Sequence, residues 1–383
     1  MRALRLDAGS LAPAEVAAWS ELADRAIEPN PFFRPEYVLA SVVERHVPVE
    51  LIVVRDDERW LACMPFRRTR RWRGIPLPSM HPWLKEYSVL STPLVDRDAV
   101  GPAVDAFVAK VHGQRDAAML VLDQLPSDGP VAAALATATK RQGVLPIVYR
   151  EYERAAWHRP AAGSTPSTTI SAHRRQRLRA KSRKLVERLG AELEVVDRAD
   201  EPAAWERFLE MEHSSWKGEA GTSLAVKATD AAFFRAMCAG MSRRGALQLR
   251  SLEGGGRSVA MECSLKEGDK FLYAFKIAYD PQFQECSPGA VLQSLSLQSY
   301  AEGSLLLFDS GAGPDATYAN QLWPNRRLIQ TLLLPTRAPT AHLLRLALWS
   351  EATRLGQWSA ATAVRGRGMI RRRRFGAAEG TAS

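Results

Sequence analysis

The sequence predicts an α/β protein built from two similar units. The chain has 383 residues, which is long for one domain and sufficient for two, each with its own core. Helix-like and strand-like segments alternate, and they follow the same order in each half. A stretch rich in Pro, Gly, Ser and Thr at 158–169 lies between the halves and is the natural domain boundary.

The first unit is expected over residues 1–160. Apolar residues at helical spacing predict a helix at 11–26 with Pro13 near its start, and a second helix follows. Two β-rich runs around a polar turn predict a strand pair at 51–66. The later elements are a helix near 101–112, a strand at 118–125, a helix at 130–142 and a strand at 144–152.

The second unit is expected over residues 161–335 and repeats this order. Its strand at 258–264 occupies the same place as the strand at 60–66 in the first half. A helical, Arg-rich tail is expected over 336–383. The predicted elements are helices at 171–189, 201–216, 229–245 and 288–302 and strands at 192–197, 247–265 (two around a Gly turn), 270–279, 304–311 and 326–335.

Composition predicts a cytoplasmic globular protein. Apolar residues make up 46% and charged residues 25% of the chain. No apolar run approaches the roughly 18–20 residues that span a bilayer, and the N-terminus lacks the apolar core of a signal peptide. Seven scattered His residues give no ligand spacing, so no metal is expected. Reduced thiols are expected for the four scattered cysteines, Cys63, Cys238, Cys263 and Cys286.

The net charge of +10 is concentrated in three clusters. Residues 171–189 carry eight basic side chains against one acidic one, five arginines lie at 67–73, and six lie at 365–374. Such clusters indicate an anionic partner, either nucleic acid, an acidic membrane surface or a phosphorylated cofactor; a solvated basic face is the alternative. The apolar helix expected at 341–355 either packs on the body or lies on an anionic membrane, peripherally on its inner face.

The strand pair at 258–279 offers a second candidate surface. A regular hairpin places Cys263 opposite Tyr273 and gives one face a core-like set of side chains. The other face is small and polar, with Glu262 diagonal to Lys276 and within cross-strand reach. These two side chains form either a structural ion pair under a helix or the floor of a ligand cleft.

The stretch YDPQFQECSPGAVL at 279–292 predicts an anion site at the start of a helix. The first backbone N–H groups of a helix are unsatisfied, and the helix dipole favours negative charge there. Ser287 can serve as the N-cap, Pro288 fits the first helical position, and Gly289 lets the backbone approach a bulky anion. An ordinary helix start without any ligand is the alternative reading.

Two resemblances to known protein families bear on the function of this stretch. The string Gln284-x-x-Ser287-x-Gly289 resembles the pyrophosphate-binding signature of GNAT (Gcn5-related) N-acetyltransferases, with Ser287 where the signature has its first Gly. Over about residues 170–325, the chain resembles the CelD-like (cellulose-biosynthesis-like) double-GNAT acyltransferases, relatives of the FemAB transferases. The segments that carry this resemblance, in order, are LRAKSRKLVERLGAELEVV, SSWKGEAGTSL, KIAYDPQFQECSPGAVL and LLLFDSGAGPDATYANQLW.

The resemblance implies tandem GNAT-like domains, each with a mixed, largely antiparallel sheet flanked by helices. The first would be degenerate, and the second would bind acyl-CoA in a splay between strands 271–279 and 305–309. The acyl group would pass to an amine acceptor, either a lipid of the sphingoid type, as in bacterial ceramide synthases, or an amino sugar or envelope precursor. The implied cofactor-binding residues are Gln284, Cys286, Ser287, Pro288, Gly289, Ala290 and Val291.

The resemblance also implies candidates for catalysis. Asp309 and Glu262 are alternative general bases for the amine, by direct contact or through a water. Tyr318 would protonate the leaving thiolate, or it is only a half-buried aromatic. Lys276 would neutralise developing charge, or it pairs with Glu262. The candidates for substrate binding are Trp216 and Lys217, on the acceptor side, and Tyr273.

Two other functions stay open at this point. FemAB-type relatives use aminoacyl-tRNA, and the basic helix at 171–189 could bind RNA phosphates, although the chain lacks a long helical-hairpin insertion. A non-catalytic membrane or nucleic-acid adaptor that keeps only the scaffold is the third candidate.

Overall fold

The computed structural model describes residues 1–46, 48–83, 87–160, 172–342 and 344. The first half contains β1 (Arg2–Asp7), α1 (Pro13–Arg25), α2 (Pro35–Arg45), β2 (Glu50–Asp56), β3 (Arg59–Thr69), β4 (Ser79–Pro82), β5 (Leu94–Val95), α3 (Val100–His112), β6 (Met119–Pro126), α4 (Pro130–Arg141) and β7 (Ile147–His158). The second half contains α5 (Ala172–Leu189), β8 (Glu194–Asp197), α6 (Pro202–His213), α7 (Trp216–Glu219), α8 (Ala228–Arg243), β9 (Leu247–Gly254), β10 (Arg257–Glu267), β11 (Phe271–Tyr279), α9 (Pro288–Glu302), β12 (Leu307–Asp309), α10 (Thr317–Leu322) and β13 (Asn325–Pro335).

The predicted α/β fold class is confirmed. The strands form one mixed sheet in which β4–β6 and β11–β12 are parallel pairs and the other ladders are antiparallel. The long helices and strands lie within a few residues of their predicted positions, except that β7 runs to His158, six residues past its predicted end. The short elements β1, β4, β5, α7 and α10 were not predicted, because two to six residues are too few to show a period.

The sheet joins the two halves by exchanging strands. Its order is β1-β2-β3-β4-β6-β13-β7-β12-β11-β10-β9-β8, with β5 paired to β3. The last strand of the first half, β7, pairs with β12, and the last strand of the second half, β13, pairs with β6. The last strand of each half therefore pairs with a strand of the other half. β3 is third from one end of the sheet and β10 is third from the other end, so these two strands hold equivalent positions.

The halves also share an apolar core. α2 packs on α8, and aromatic rings from both halves meet edge-on, with Tyr37 and Phe233 centroids 5.4 Å apart and Phe32 and Tyr273 centroids 6.3 Å apart. A buried ion pair crosses the same boundary, because the Arg34 guanidinium donates to both carboxylate oxygens of Glu267. The exchanged strands and this core hold the functional site in a fixed frame.

The β10–β11 hairpin has a register different from the predicted one. Leu265, not Cys263, lies opposite Tyr273, because the turn has three residues rather than five. Beyond this pair, the register shifts by one residue between Cys263 and Ser264. Glu262 is therefore opposite Ile277 and Cys263 is opposite Lys276. Glu262 and Lys276 lie on opposite faces of the sheet, so the predicted ion pair between them is wrong.

The remaining predictions concern the cysteines, a membrane-spanning helix and the C-terminal tail. All four cysteines are buried and free. Among the described residues, no helix is both long and apolar enough to cross a membrane. Most of the expected C-terminal helix at 341–355 and the arginine cluster at 365–374 lie outside the described residues.

Candidate functional site

A cavity of about 470 Å³ opens where the end of β11, the start of α9 and α7 meet. It collects seven of the predicted binding residues, although they come from segments more than sixty residues apart. Its described lining consists of Ser215, Trp216, Lys217, Ile277, Ala278, Tyr279, Gln284, Ser287, Pro288, Gly289 and Ala290. The predicted phosphate-binding turn and the predicted acceptor-side residues therefore face one space.

The open end of β11 forms one wall of the cavity. β11 pairs with β12 over Phe271–Tyr273 only, after which β12 ends at Asp309 and β11 continues to Tyr279. Pairing between the two strands therefore ends at Tyr273 and Asp309, before β11 reaches the cavity. Ile277, Ala278 and Tyr279 carry the free edge of β11 into the cavity.

The start of α9 forms the second wall. A short 3-10 helix at Pro281–Cys286 leads into Ser287, which has φ 50° and ψ 54° in the left-handed region. Ser287 is the N-cap residue of α9, as predicted, but its hydroxyl makes no capping hydrogen bond. Instead the Ser287 carbonyl accepts the Ala290 and Val291 amides at 3.0 and 3.2 Å. Ser287 therefore holds a backbone conformation that glycine adopts without strain, at the position where the GNAT signature has Gly.

The backbone of Ser287 gives a stability prediction. We expect Ser287→Gly to be more stable than Ser287→Ala by about 1 kcal/mol, because only Gly avoids the left-handed penalty and neither change removes a capping bond. Urea unfolding monitored by tryptophan fluorescence measures the difference. Equal stabilities of the two variants would mean that this turn relaxes out of the left-handed region.

Two of the predicted cofactor residues point away from the cavity. The side chains of Cys286 and Val291 are buried in an apolar cluster with Leu185, Phe283 and Leu292. That cluster fixes α9 on β10 and beside α5. Neither side chain can therefore reach a ligand in the cavity, and the Val291 amide is already donated to the Ser287 carbonyl.

The third wall is α7, which a close backbone contact holds in place. A Cβ at Gly218 would lie 1.8 Å from the His213 carbonyl oxygen, so glycine lets α7 turn back on the end of α6. The Ser215 hydroxyl caps α7 by accepting the Lys217 amide at 3.3 Å. Trp216 is consequently 57% exposed at the mouth of the cavity rather than part of the core.

Lys217 and Lys276 share one buried carboxylate that the sequence analysis missed. Glu212 Oε1 lies 2.7 Å from Lys276 Nζ and 3.5 Å from Lys217 Nζ, and its Oε2 accepts the Leu224 amide at 2.9 Å. Lys217 also donates to the Ile277 carbonyl at 2.5 Å, which ties α7 to β11. Burial lowers the pKa of Lys217, opposed by the Glu212 charge.

A signal for Glu212 exists in the sequence. Trp205, Phe208, Leu209 and Glu212 fall at i, i+3, i+4 and i+7 of α6, so the carboxylate lies on the buried stripe of that helix. A charge on such a stripe requires a partner. The two lysines supply it, from α7 and from β11.

Glu262 lies beneath α9 and does not line the cavity. Gln293 Nε2 donates to Glu262 Oε1 at 2.7 Å, and Glu262 is 2% exposed. Glu262 Oε2, Ser264 Oγ and Gln293 Oε1 are buried without a hydrogen-bond partner in the described part of the chain. Burial raises the pKa of Glu262 to about 7.

Asp309 is fixed in a buried charge network instead of facing the cavity. Its Oδ2 lies 3.1 Å from Arg327 on β13, and its Oδ1 lies 3.5 Å from Arg154 on β7 and accepts the Gly311 amide at 2.9 Å. Arg327 continues to Glu28 of the first half at 3.1 Å. Asp309 thus forms ion pairs with both exchanged strands, β7 and β13.

The two predicted tyrosines are not brought to the described lining. Tyr273 is buried in the shared core, where its hydroxyl donates to the Pro29 carbonyl at 3.0 Å and burial raises its pKa. Tyr318 belongs to α10, and its side chain lies outside the described part of the structure. Within the described ranges, no group of three or more His, Cys, Asp or Glu side chains could hold a metal ion.

Comparison with known proteins places this geometry in a family context. Residues 172–319 match the acetyltransferase (GNAT) domain family. No curated protein sequence matches the chain.

Among solved structures, FemX is similar to the chain with a TM-score of 0.57 at 10% identity, covering 91% of this chain and 100% of that one. The C-terminal DUF2156 domain assigned to a lysylphosphatidylglycerol synthetase of Agrobacterium fabrum gives 0.54 at 14% identity, covering 86% and 95%. A tandem GNAT protein of the clavulanic acid pathway gives 0.37 at 15% identity, covering 87% and 98%. Residues 172–319 are therefore similar to the GNAT acetyltransferase domain family, within a chain whose fold is similar to that of FemX.

Proposed function

We propose that the chain moves an acyl group from a CoA thioester to an amine. The observation that carries this proposal is the single cavity in which the start of α9, the free edge of β11 and α7 converge. A helix start provides N–H groups and a positive dipole end for a pyrophosphate. The matched GNAT-type domain includes all three walls.

The walls suggest how an acyl donor would lie. The pyrophosphate would rest on the turn Ser287–Pro288–Gly289, where no side chain of Gly289 blocks approach to the backbone. The pantetheine arm is an extended chain with amides, so it suits the free edge of β11 at Ile277–Tyr279. The thioester would then reach the end of the cavity that Trp216 and Lys217 close.

Acyl transfer to an amine requires loss of a proton from the ammonium, stabilisation of the tetrahedral oxyanion and protonation of the leaving thiolate. We assign the second task to Lys217, the cation in the described lining, which Glu212 and the Ile277 carbonyl orient. Tyr318 remains our candidate for the third task. Neither Glu262 nor Asp309 lines the described cavity, so either of them could accept the proton of the ammonium only through an intervening water.

The mouth of the cavity favours an acceptor with an apolar part. Trp216 presents its indole to solvent there, next to the surface assigned to the donor. An amine attached to a lipid fits this surface better than an amino sugar does. This assignment agrees with membership of the CelD-like group, which we also propose.

Gly289 gives the direct test of the donor site. We expect Gly289→Glu to weaken CoA binding about 10- to 100-fold, because a carboxylate would project into the anion site. The fold should persist, since Glu is favourable in the first turn of a helix and the site of the new Cβ is 3.3 Å from the flexible Ile277 Cδ1. Isothermal titration calorimetry with CoA measures the change.

Gly289→Gln is the matched control, because Gln has the size of Glu without its charge. It should bind CoA at least about tenfold more tightly than Gly289→Glu. Equal affinities of the two variants would overturn the pyrophosphate site. At the level of activity, release of free CoA with an amine acceptor supports the proposal. Acceptor modification that releases no CoA, requires aminoacyl-tRNA and is lost on RNase treatment would replace it with an aminoacyl-tRNA-dependent reaction.

A further inference from the structure

Helix α5 directly precedes β8, the first strand of the second half. α5 packs against α9 and the 3-10 helix that precedes it. The most basic segment of the described chain is thereby placed beside the proposed phosphate site.

A second cavity of about 160 Å³ lies between α5, the start of α9 and α10. It shares Ser287 and Ala290 with the larger cavity, so the first turn of α9 borders both. Its described lining contains three cations and no acidic residue: Arg174, Arg177, Leu178, Lys181, Ser287, Ala290 and Gln321.

The acidic residue nearest in sequence to this turn neutralises other parts of α5. Glu285 lies 2.6 Å from Lys184 Nζ and 3.0 Å from Arg188, one and two turns further along the helix. Lys181 is held toward the turn by a hydrogen bond to the Glu285 backbone carbonyl. Arg177 and Lys181, at i and i+4, therefore present positive charge to the small cavity.

We propose that this small cavity binds a second phosphate, a phosphate monoester carried by the same ligand whose pyrophosphate rests on α9. The inference depends on the proposed function and assigns Arg177 and Lys181 to the 3′-phosphate of its CoA donor. The pyrophosphate and the monoester of such a donor are separated by one ribose, which suits two cavities that share one helical turn. Charge-assisted bonds from Arg177 and Lys181 would distinguish this donor from one without the 3′-phosphate.

Calorimetric titration of the full chain with CoA and with dephospho-CoA tests the proposal. The wild-type chain should bind CoA at least about tenfold more tightly, the factor expected from one or two charge-assisted hydrogen bonds. The double variant Arg177→Gln/Lys181→Gln should lose that preference and bind dephospho-CoA as the wild type does. Arg183→Gln is the matched control, since Arg183 is exposed on the opposite face of α5 and should leave both affinities unchanged.

The outcomes separate this inference from the proposed function. Equal wild-type affinities for CoA and dephospho-CoA would overturn the 3′-phosphate site while the acyltransferase proposal stands. No binding of either ligand would overturn the proposed function and the inference with it. Weakened binding of tRNA by the double variant, with unchanged affinity for CoA, would overturn the inference in favour of a nucleic-acid surface.

Discussion

Replacing Asp309 by Ala is expected to lower the free energy of unfolding by about 4 kcal/mol, the loss typical of removing one partner from a buried ion pair. The Asp309 side chain is fully buried and neutralises Arg327 and Arg154, which lie on the two exchanged strands. Without it, two buried guanidinium groups face one remaining carboxylate, Glu28. The change therefore acts on the junction between the halves.

Chemical denaturation monitored by tryptophan fluorescence measures this loss, and Glu58→Ala provides the control. Glu58 is an exposed acidic residue in a turn, so its removal should change stability by less than about 0.5 kcal/mol. If Asp309 were the general base, Asp309→Asn would lower kcat by about a hundredfold or more with little loss of stability. We expect the reverse, with near-normal kcat in the folded fraction.

The position of Asp309 in the sequence could not reveal this role. An acidic residue at the carboxyl end of a strand is a reasonable catalytic candidate when only local sequence is known. Its partners Arg154 and Arg327 become neighbours because β7 and β13 cross between the halves. Strand exchange is decided by long-range pairing, which leaves no mark on hydrophobic periodicity.

The helices and strands themselves could be predicted, because their burial patterns are local. The start of α9 was predicted for the same reason, since Ser, Pro and Gly at a helix start have local conformational causes. The register of the β10–β11 hairpin could not be predicted in this way. Phe275 occupies the register shift and packs against Tyr37 and Tyr87 of the first half and Phe234 of α8, at centroid distances of 6.2 to 6.3 Å. Contacts from distant segments therefore moved Lys276 to the face opposite Glu262.

The candidate site, like the fold, could be predicted only where its features are local in sequence. The turn before α9 was predicted from its residues and the Trp216–Lys217 pair from the family resemblance, and the structure places them around one cavity. Glu212 was missed because a single acid in a helix is usually solvated. Its burial depends on Lys276 and Lys217, which approach it from separate elements.

Glu262 makes the stability of the chain depend on pH, and Glu262→Gln should remove that dependence. Burial raises its pKa from 4.5 to about 7, so between these values the folded protein holds a proton that the unfolded chain has released. A folded state that binds more protons loses stability as pH rises. The stabilisation is complete below about pH 4.5 and is lost as pH rises through 7, a change of about 3 kcal/mol.

Urea unfolding at pH 5 and pH 8 measures this effect. Glu262→Gln keeps an uncharged group of the same shape, and its amide N–H groups replace the carboxyl proton as donors among the buried oxygens Ser264 Oγ and Gln293 Oε1. The variant should match the wild type at pH 5 and exceed it by about 2–3 kcal/mol at pH 8. A difference that does not vary with pH would show that Glu262 titrates normally. Because the neutral form is the one that the fold favours, Glu262 serves better as a protonated support for α9 than as a base, and Glu262→Gln should leave kcat within about threefold of the wild-type value.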